Sequence, residues 1–377
     1  MKKILMVAQT LGGGGTEVAL VELINHLDTK KYEITLLLMD KDTSFIDRIK
    51  RKIKIKYLKF DDMFWHNLVS MNTMVGKAIK KANINSSLKI YDIALKHIYS
   101  SVFNKKYDLA IDFYGYGSFT TAIVADKVNA SKKVTWLHDA KMSWIKNVEE
   151  YFDKYNKIFC VSKSVKVSFD KLYPQIDNKS EVFYNLIDKT NIIRKSTEFV
   201  PHNFKKNKFN IVSVGRLTEQ KGFDIALESA KILKNRGLNF QWFVVGEGRD
   251  RKKLEKKMRK LNLNNFFFFL GQKANPYPYI KNGNVFVLPS RHEGYGLAVL
   301  EARVLKKPVI VSNIPVYKEQ IINNKNGLIS ELNAEDLSNK IMKLYYDSDL
   351  RDRIDLYLSK ENINFADCKI KLNTLEK

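Results

Sequence analysis

Two tandem sets of short apolar runs, separated by helix-length stretches, constrain this chain more than any other feature. In the first half, Lys3–Ala8, Glu33–Met39, Leu109–Phe113, Val134–Leu137, Ile158–Val161 and Val182–Tyr184 read as strands, with helical stretches such as Val18–Leu27 between them. Short apolar strands alternating with helices imply a parallel sheet covered on both faces. The pattern pauses over residues 188–208, which are polar and charged, contain Pro201 and lack clear periodicity. It restarts with Asn210–Val214, Gln241–Val245, Phe266–Leu270, Val285–Leu288, Pro308–Val311 and Leu328–Ser330, with helices over Asp224–Lys234 and Asp250–Leu261. The expected architecture is α/β, two Rossmann-like domains in tandem across a central cleft, with ligands at the carboxyl ends of the strands.

Composition narrows the class. A chain of 377 residues with 45% apolar content suits two domains with real cores. No run reaches the roughly 18 apolar residues a membrane span needs. The opening run Ile4–Ala8 is too short for a signal peptide and reads as a buried strand. Cys160 lies in an apolar run far from Cys368, so a buried free thiol is expected rather than a disulfide. These features suit the cytoplasm. The formal charge of +24 implies a polyanionic partner or surface. Between Arg48 and Lys106, 14 Lys and Arg face only Asp61, Asp62 and Asp92, a surplus of +11.

Three segments carry chemistry. The first is Gly12-Gly13-Gly14-Gly15-Thr16-Glu17, between the first strand and a helix. Glycines admit close approach to the backbone, and a helix N-terminus offers free N–H groups to an anion. The run lacks both the dinucleotide fingerprint and the Gly-Lys-Ser/Thr end of a Walker loop. The second is Val214-Gly215-Arg216-Leu217 with Lys221-Gly222, again after a strand. A guanidinium fork and an ammonium at one strand end form a plausible diphosphate clamp. The third runs from Pro289 through Glu293-Gly294-Tyr295-Gly296-Leu297 to Glu301-Ala302. With a helix beginning near Gly296, Glu293 lies at its mouth and Glu301 about one and a half turns inside. The free N–H groups of the first turn then suit a diphosphate, and Glu301 suits ribose hydroxyls. Two solvated helix carboxylates are the alternative reading.

Together these segments resemble the retaining glycosyltransferases of family 4, which have the GT-B fold, of the bacterial capsule and exopolysaccharide type. The resemblance runs from Lys3 to about residue 350. It is most specific in Gly215-Arg216-Leu217 with Lys221-Gly222, Val245-Gly246-Glu247-Gly248, Phe269-Leu270-Gly271, Pro289-Ser290 leading to Glu293 and Glu301-Ala302, and Glu319 with Asn326-Gly327-Leu328. It implies that Glu301 binds ribose. Arg216 and Lys221 would bind the diphosphate with the backbone of Gly296 and Leu297, and Glu293 would touch donor-sugar hydroxyls near the reacting carbon. Gly14 and Gly15 match the family's first loop, although Thr16 stands where many relatives carry alanine. His138, in Trp136-Leu137-His138-Asp139, matches a histidine that contacts the donor sugar, and Gly271 joins the nucleotide-binding set. Without the resemblance, His138 would read as an ordinary polar loop residue.

The implied function is transfer of a hexose or N-acetylhexosamine, with retention, from a UDP-sugar to a glycan or lipid-linked acceptor in surface polysaccharide or glycoconjugate synthesis. Front-face attack and a two-step displacement both satisfy retention; the former is favoured. No cofactor and no metal are expected, since Asp40-Lys41-Asp42 reads as a solvated turn and no His/Cys cluster has zinc spacing. The expected domains are 1–190, joined by a C-terminal helix over about 355–377, and 191–354.

Two rival readings remain. A UDP-N-acetylglucosamine 2-epimerase would use the same nucleotide clamp without an acceptor, but the Gly-Arg-Leu and Pro-Ser…Glu-Gly signatures favour transfer. A nucleic-acid partner would need a recognised module, and none appears. The basic segment 48–106 instead suits contact with an anionic membrane, the alternative being that its apolar stripe packs on the first domain beneath solvated lysines. Phe64, Leu68, Met71, Val75 and Ile79 recur at helical spacing beside Lys77, Lys80 and Lys81. This predicts a cytoplasmic protein held peripherally at the inner face of the cell membrane.

Overall fold

Short apolar runs become parallel strands in both halves of the computed structural model, which describes residues 1–61, 87–115, 118–143 and 145–361. The first unit covers Met1–Leu186 and the second starts at Ile187. In the first unit the strands are β1 (Lys2–Ala8), β2 (Tyr32–Leu38), β3 (Lys54–Tyr57), β4 (Lys59–Phe60), β5 (Ile98–Tyr99), β6 (Lys106–Asp112), β7 (Asn129–Leu137), β8 (Lys157–Cys160) and β9 (Ser180–Val182). Seven of them form one sheet in the order β3-β2-β1-β6-β7-β8-β9. Each of its pairings is parallel, while β4 and β5 form a small antiparallel pair. Ile4–Ala8 are each no more than 1% exposed, as expected of a strand covered on both faces.

The second unit repeats the design with β10 (Phe209–Val214), β11 (Phe240–Val245), β12 (Phe267–Phe269), β13 (Val285–Leu288), β14 (Val309–Ser312) and β15 (Gly327–Ser330). Their order is β12-β11-β10-β13-β14-β15, all parallel. Here the chain winds outward from β10 through β11 to β12, then returns to the far side of β10 with β13. That reversal is the topological switch point, and the loops leaving β10 and β13 diverge there and leave a ligand crevice. The first sheet reverses in the same way between β1 and β6.

The structure corrects several expectations. The strand β3 was not anticipated. Its sequence Lys-Ile-Lys-Tyr alternates polar and apolar at an exposed edge, so it lacks the continuous apolar run of a central strand. The stretch after residue 188 is not a bare connection. Asp188 caps a helix over Lys189–Lys195, its Oδ1 accepting from the Asn191 amide at 2.9 Å, and Ile192 is buried in the second core. A helix over Ser348–Lys360 seats Leu350, Ile354 and Leu358 in that same core. Residues 355–360 therefore belong to the second unit rather than the first. The expected apolar stripe Phe64–Ile79 with Lys77, Lys80 and Lys81, and residues 362–377, lie outside the described residues.

Candidate active site

The second unit's switch point gathers most of the residues singled out from the sequence. Gly215, Arg216 and Lys221 lie on the segment leaving β10, and Ser290, Glu293 and Gly296 on the one leaving β13. Lys221 and Glu293 stand 72 positions apart, yet Lys221 Nζ lies 2.5 Å from Glu293 Oε1. Their side chains are only 14% and 7% exposed. The Ser290 hydroxyl donates to the same oxygen at 2.8 Å, and the Tyr317 hydroxyl at 3.4 Å. Burial, and behind it the Glu293 carboxylate, holds the Tyr317 phenol protonated well above its usual range, so it acts as a donor. All three bonds converge on Oε1, and no group among the described residues bonds Oε2.

Local backbone geometry explains the glycines. Gly222 adopts φ +69°, and a Cβ there would strike the Pro289 carbonyl, so only glycine lets the two switch-point loops close on each other. Gly296 adopts φ +79°, where a Cβ would sit 2.7 Å from Tyr317 Cε1. Gly296 caps the helix Leu297–Val304 without a side-chain bond; its carbonyl accepts from the Val299 amide at 3.0 Å, while the Leu297 and Ala298 amides find no backbone acceptor among the described residues. Arg291 ties the loops from outside with a two-pronged bond to Asp224, at 2.8 and 2.6 Å. Burial raises the Asp224 carboxyl, but the Arg291 fork outweighs it and holds the group below its ordinary value.

Glu301 sits inside that helix, 8% exposed, and accepts from the Tyr277 hydroxyl at 3.2 Å. Leu297 opens the helix. The Arg216 side chain is exposed and makes no hydrogen bond or ion pair among the described residues, while its carbonyl accepts from the Thr218 amide at 2.9 Å. Gly271 follows β12, adopts φ +73° and pairs with Gly246 beyond the end of β11, and Gly246 in turn packs against the Gly215 carbonyl. Sequence reasoning assigned no role to Tyr317 or Tyr277, because a lone tyrosine carries no local signal. Ser290 lay inside the quoted motif, and its spacing of three from Glu293 was the available clue.

The first unit's candidates lie at the carboxyl edge of its own sheet. Gly14 caps the helix Gly15–His26, and the buried Glu17 of its first turn accepts from the Tyr114 hydroxyl. Tyr114 follows β6, whose last residue, Asp112, is fully buried. Its carboxylate accepts from Thr121 at 2.6 Å, Thr120 at 2.7 Å, Thr135 at 2.8 Å and the Tyr114 amide at 3.2 Å. Burial raises the Asp112 carboxyl, and these four donors oppose the shift. His138 follows β7 and donates from Nε2 to the Phe113 carbonyl at 2.8 Å. Burial pushes its pKa down to about 4 against that carbonyl, so the imidazole is neutral at pH 7. Asp40 and Asp42 are exposed, and Asp42 is committed to the Ser44 amide and hydroxyl at 3.1 and 2.6 Å. No group of three His, Cys, Asp or Glu suited to a metal occurs among the described residues.

Two Rossmann-like units, with a glycine-capped helix and a buried carboxylate–lysine pair at the second switch point, define the GT-B class of fold. Solved structures agree on that fold. Anabaena HepE in complex with UDP-glucose has a TM-score of 0.75 and 17% identity over all of both chains. Staphylococcus aureus TarM, in a mutant complex that includes UDP, has a TM-score of 0.71 and 15% identity over 100% of this chain and 99% of that one. Residues 194–360 match the family described as "Glycosyl transferases group 1", a stretch that lies within the second unit. An uncharacterized glycosyltransferase of Methanocaldococcus jannaschii is 30% identical over 61% of this chain and 63% of its own. A Campylobacter jejuni N,N'-diacetylbacillosaminyl-diphospho-undecaprenol alpha-1,3-N-acetylgalactosaminyltransferase is 34% identical over 52% of this chain and 48% of its own. The Staphylococcus aureus capsular polysaccharide biosynthesis glycosyltransferase CapM is 30% identical over 41% of each chain. The matched stretches thus span between about two fifths and just under two thirds of these relatives' lengths.

Proposed function

We propose that the protein transfers a hexose or N-acetylhexosamine from a UDP-sugar, with retention and without a metal, to a glycan or lipid-linked acceptor in surface polysaccharide synthesis. The observation that carries this reading is the Glu293 carboxylate. It is buried, held at Oε1 by Lys221, Ser290 and Tyr317, and lies on the loop that leads into the glycine-capped helix Leu297–Val304. The complexes of HepE and TarM support UDP as the nucleotide, and the capsular and undecaprenol-linked relatives support the acceptor class.

In this reading the helix N–H groups, Lys221 and Arg216 stabilise charge that grows on the departing diphosphate. The acceptor oxygen forms its bond to the anomeric carbon on the face from which the diphosphate leaves. The carbon–oxygen bond to the diphosphate breaks, and the acceptor proton passes to a phosphate oxygen. Glu293 Oε2 receives donor-sugar hydroxyls, and Glu301 receives the ribose. Neutral His138 offers the sugar a hydrogen-bonding partner without adding charge. The basic segment 48–106 would dock on an anionic membrane at its cytoplasmic face, by the reading of the sequence. The decisive assay gives UDP-glucose and UDP-N-acetylglucosamine, with an undecaprenol-linked glycan acceptor, in excess EDTA. Acceptor-dependent release of UDP and an α-linked product are expected. Loss of UDP-sugar without acceptor would favour the epimerase, and activity restored only by manganese would refute metal independence.

A further inference from the structure

A chain of buried side chains ties the loop 293–296 to the far end of the helix Ser348–Lys360. Gln320 is 6% exposed, and its Nε2 donates to the Tyr295 carbonyl. The Gln320 carbonyl in turn accepts from Asn326 Nδ2 at 3.1 Å. Asn326 is buried; its Oδ1 accepts from the Ile322 amide at 2.8 Å, and its Nδ2 also donates to Glu361 Oε1 at 3.1 Å. Glu361 caps the end of the helix Ser348–Lys360, and the same oxygen accepts from Arg303 Nη2 at 2.7 Å. Arg303 shares the helix Leu297–Val304 with Glu301. The bonds close a ring that runs from the loop through that helix to Arg303, Glu361, Asn326 and Gln320, and back to the loop at Tyr295.

We propose that Gln320 is a positioning residue for diphosphate binding: it fixes the Tyr295–Gly296 peptide, and with it the direction in which Gly296 presents its N–H, while Asn326 and Glu361 hold Gln320 in place. In a trans peptide the carbonyl and the following N–H point opposite ways, so a bond to the Tyr295 oxygen sets the Gly296 N–H as well. Gly296 alone does not choose this orientation. It sits at φ +79°, and glycine enters positive φ about as readily as negative, so the peptide before it can turn over at little steric cost. The Gln320 bond decides between the two orientations. A carbonyl oxygen only accepts, so the amide nitrogen end of Gln320 must face Tyr295, and the side chain is oriented too.

The same segment grips the loop a second time. Tyr317 donates to the Glu293 carboxylate, so the side chain of Glu293 and the backbone of Tyr295 are both set from residues 317–320. The Gly296 amide donates to no group among the described residues. The inference rests on the reading that this amide meets the diphosphate of a nucleotide sugar.

The test compares wild type with Gln320→Met, which has nearly the same shape and no donor. Calorimetry with UDP and with uridine is paired with crystal structures of both proteins. UDP affinity should fall about tenfold in the variant, the loss of one hydrogen bond to a charged group. Uridine carries no phosphate and should bind as before. The Tyr295–Gly296 peptide should be turned over in the variant or divided between two orientations. An equal loss for UDP and uridine would mark a general structural role and overturn the proposal, and so would a peptide unmoved in the variant. A wild type that does not bind UDP would overturn the nucleotide reading instead, and the peptide orientation would still decide whether Gln320 sets the loop. Gln320→Leu gives the same readings if the methionine variant does not fold.

Discussion

Lys221→Ala isolates the ion pair on which the candidate site is built. At a separation of 2.5 Å the attraction is on the order of 6 kcal/mol for an effective dielectric of about 20, before desolvation is subtracted. Desolvating both ions removes most of that gain, so the intact pair is worth little against an apolar isostere. Deleting one partner is a different matter. Glu293 would remain buried with only the Ser290 and Tyr317 hydroxyls as donors, and about 3 kcal/mol should be lost. For a unit of this size that corresponds to a fall of about 6–12 °C in the melting transition. Glu293→Gln keeps the shape and an acceptor oxygen, so it should cost less. The double variant Lys221→Ala/Glu293→Gln should recover about 2 kcal/mol of the summed losses, because it leaves no buried unpaired charge. Differential scanning calorimetry of the four proteins reads this directly. The same substitution carries a functional consequence: Glu293→Gln releases Lys221 for a diphosphate, so UDP should bind as well as before or more tightly while turnover of the UDP-sugar falls. A shift below 2 °C for Lys221→Ala, or strict additivity in the cycle, would refute the argument from desolvation. Weaker UDP binding in Glu293→Gln would show that the carboxylate positions Lys221 rather than competing for it.

Three other outcomes follow from the geometry. Glu301→Ala should weaken UDP binding by about 1–3 kcal/mol, the value of a charged hydrogen bond, and unchanged affinity in calorimetry removes it from the ribose site. Arg216→Ala should lower kcat about 100-fold with no change in melting temperature, since its exposed side chain bonds nothing among the described residues; near-normal turnover excludes it from the clamp. His138 has a folded pKa of about 4 against an ordinary 6.5, so the unfolded chain takes up the proton first as the pH falls. Stability present above pH 6.5 should therefore decline toward pH 4 by as much as about 3 kcal/mol, and His138→Gln should flatten that decline in denaturant titrations. Identical pH profiles for the two proteins would show that the imidazole is not held neutral by burial.

The fold was legible where physics is local. Buried central strands need continuous apolar runs, and β13 coincides with the run Val285–Leu288. Glycines forced by close approach or positive φ, such as Gly222 and Gly296, mark loop geometry within a few residues of themselves. What was not legible depends on distant packing. Tyr317 reaches Glu293 from 24 positions away, and its hydroxyl matters only because Gly296 leaves room for its ring. The helix at Lys189–Lys195 is only seven residues long with a single buried apolar position, too little period to read. The edge strand Lys54–Tyr57 carries alternating lysines, which made it look like surface charge rather than sheet.

The division of labour inside the second unit follows from its topology. Lys221 and Glu293 reach each other because the chain leaves β10 and β13 as neighbouring strands with 72 positions between the side chains. Both are thus placed by the sheet itself and need no ligand to assemble. Tyr277 similarly sets Glu301 from the short helix Tyr277–Asn282. Arg216 alone is unanchored, and its guanidinium is the group whose position a bound anion would decide. A site whose carboxylates are rigid and whose most exposed cation is not can hold the nucleotide in one orientation while reserving one strong charge interaction for the leaving group. Interactions that strengthen only as charge develops lower the barrier, whereas those already complete in the ground state set affinity. On that argument Glu301 governs UDP affinity and Arg216 governs rate, and opposite assignments by calorimetry and kinetics would overturn it.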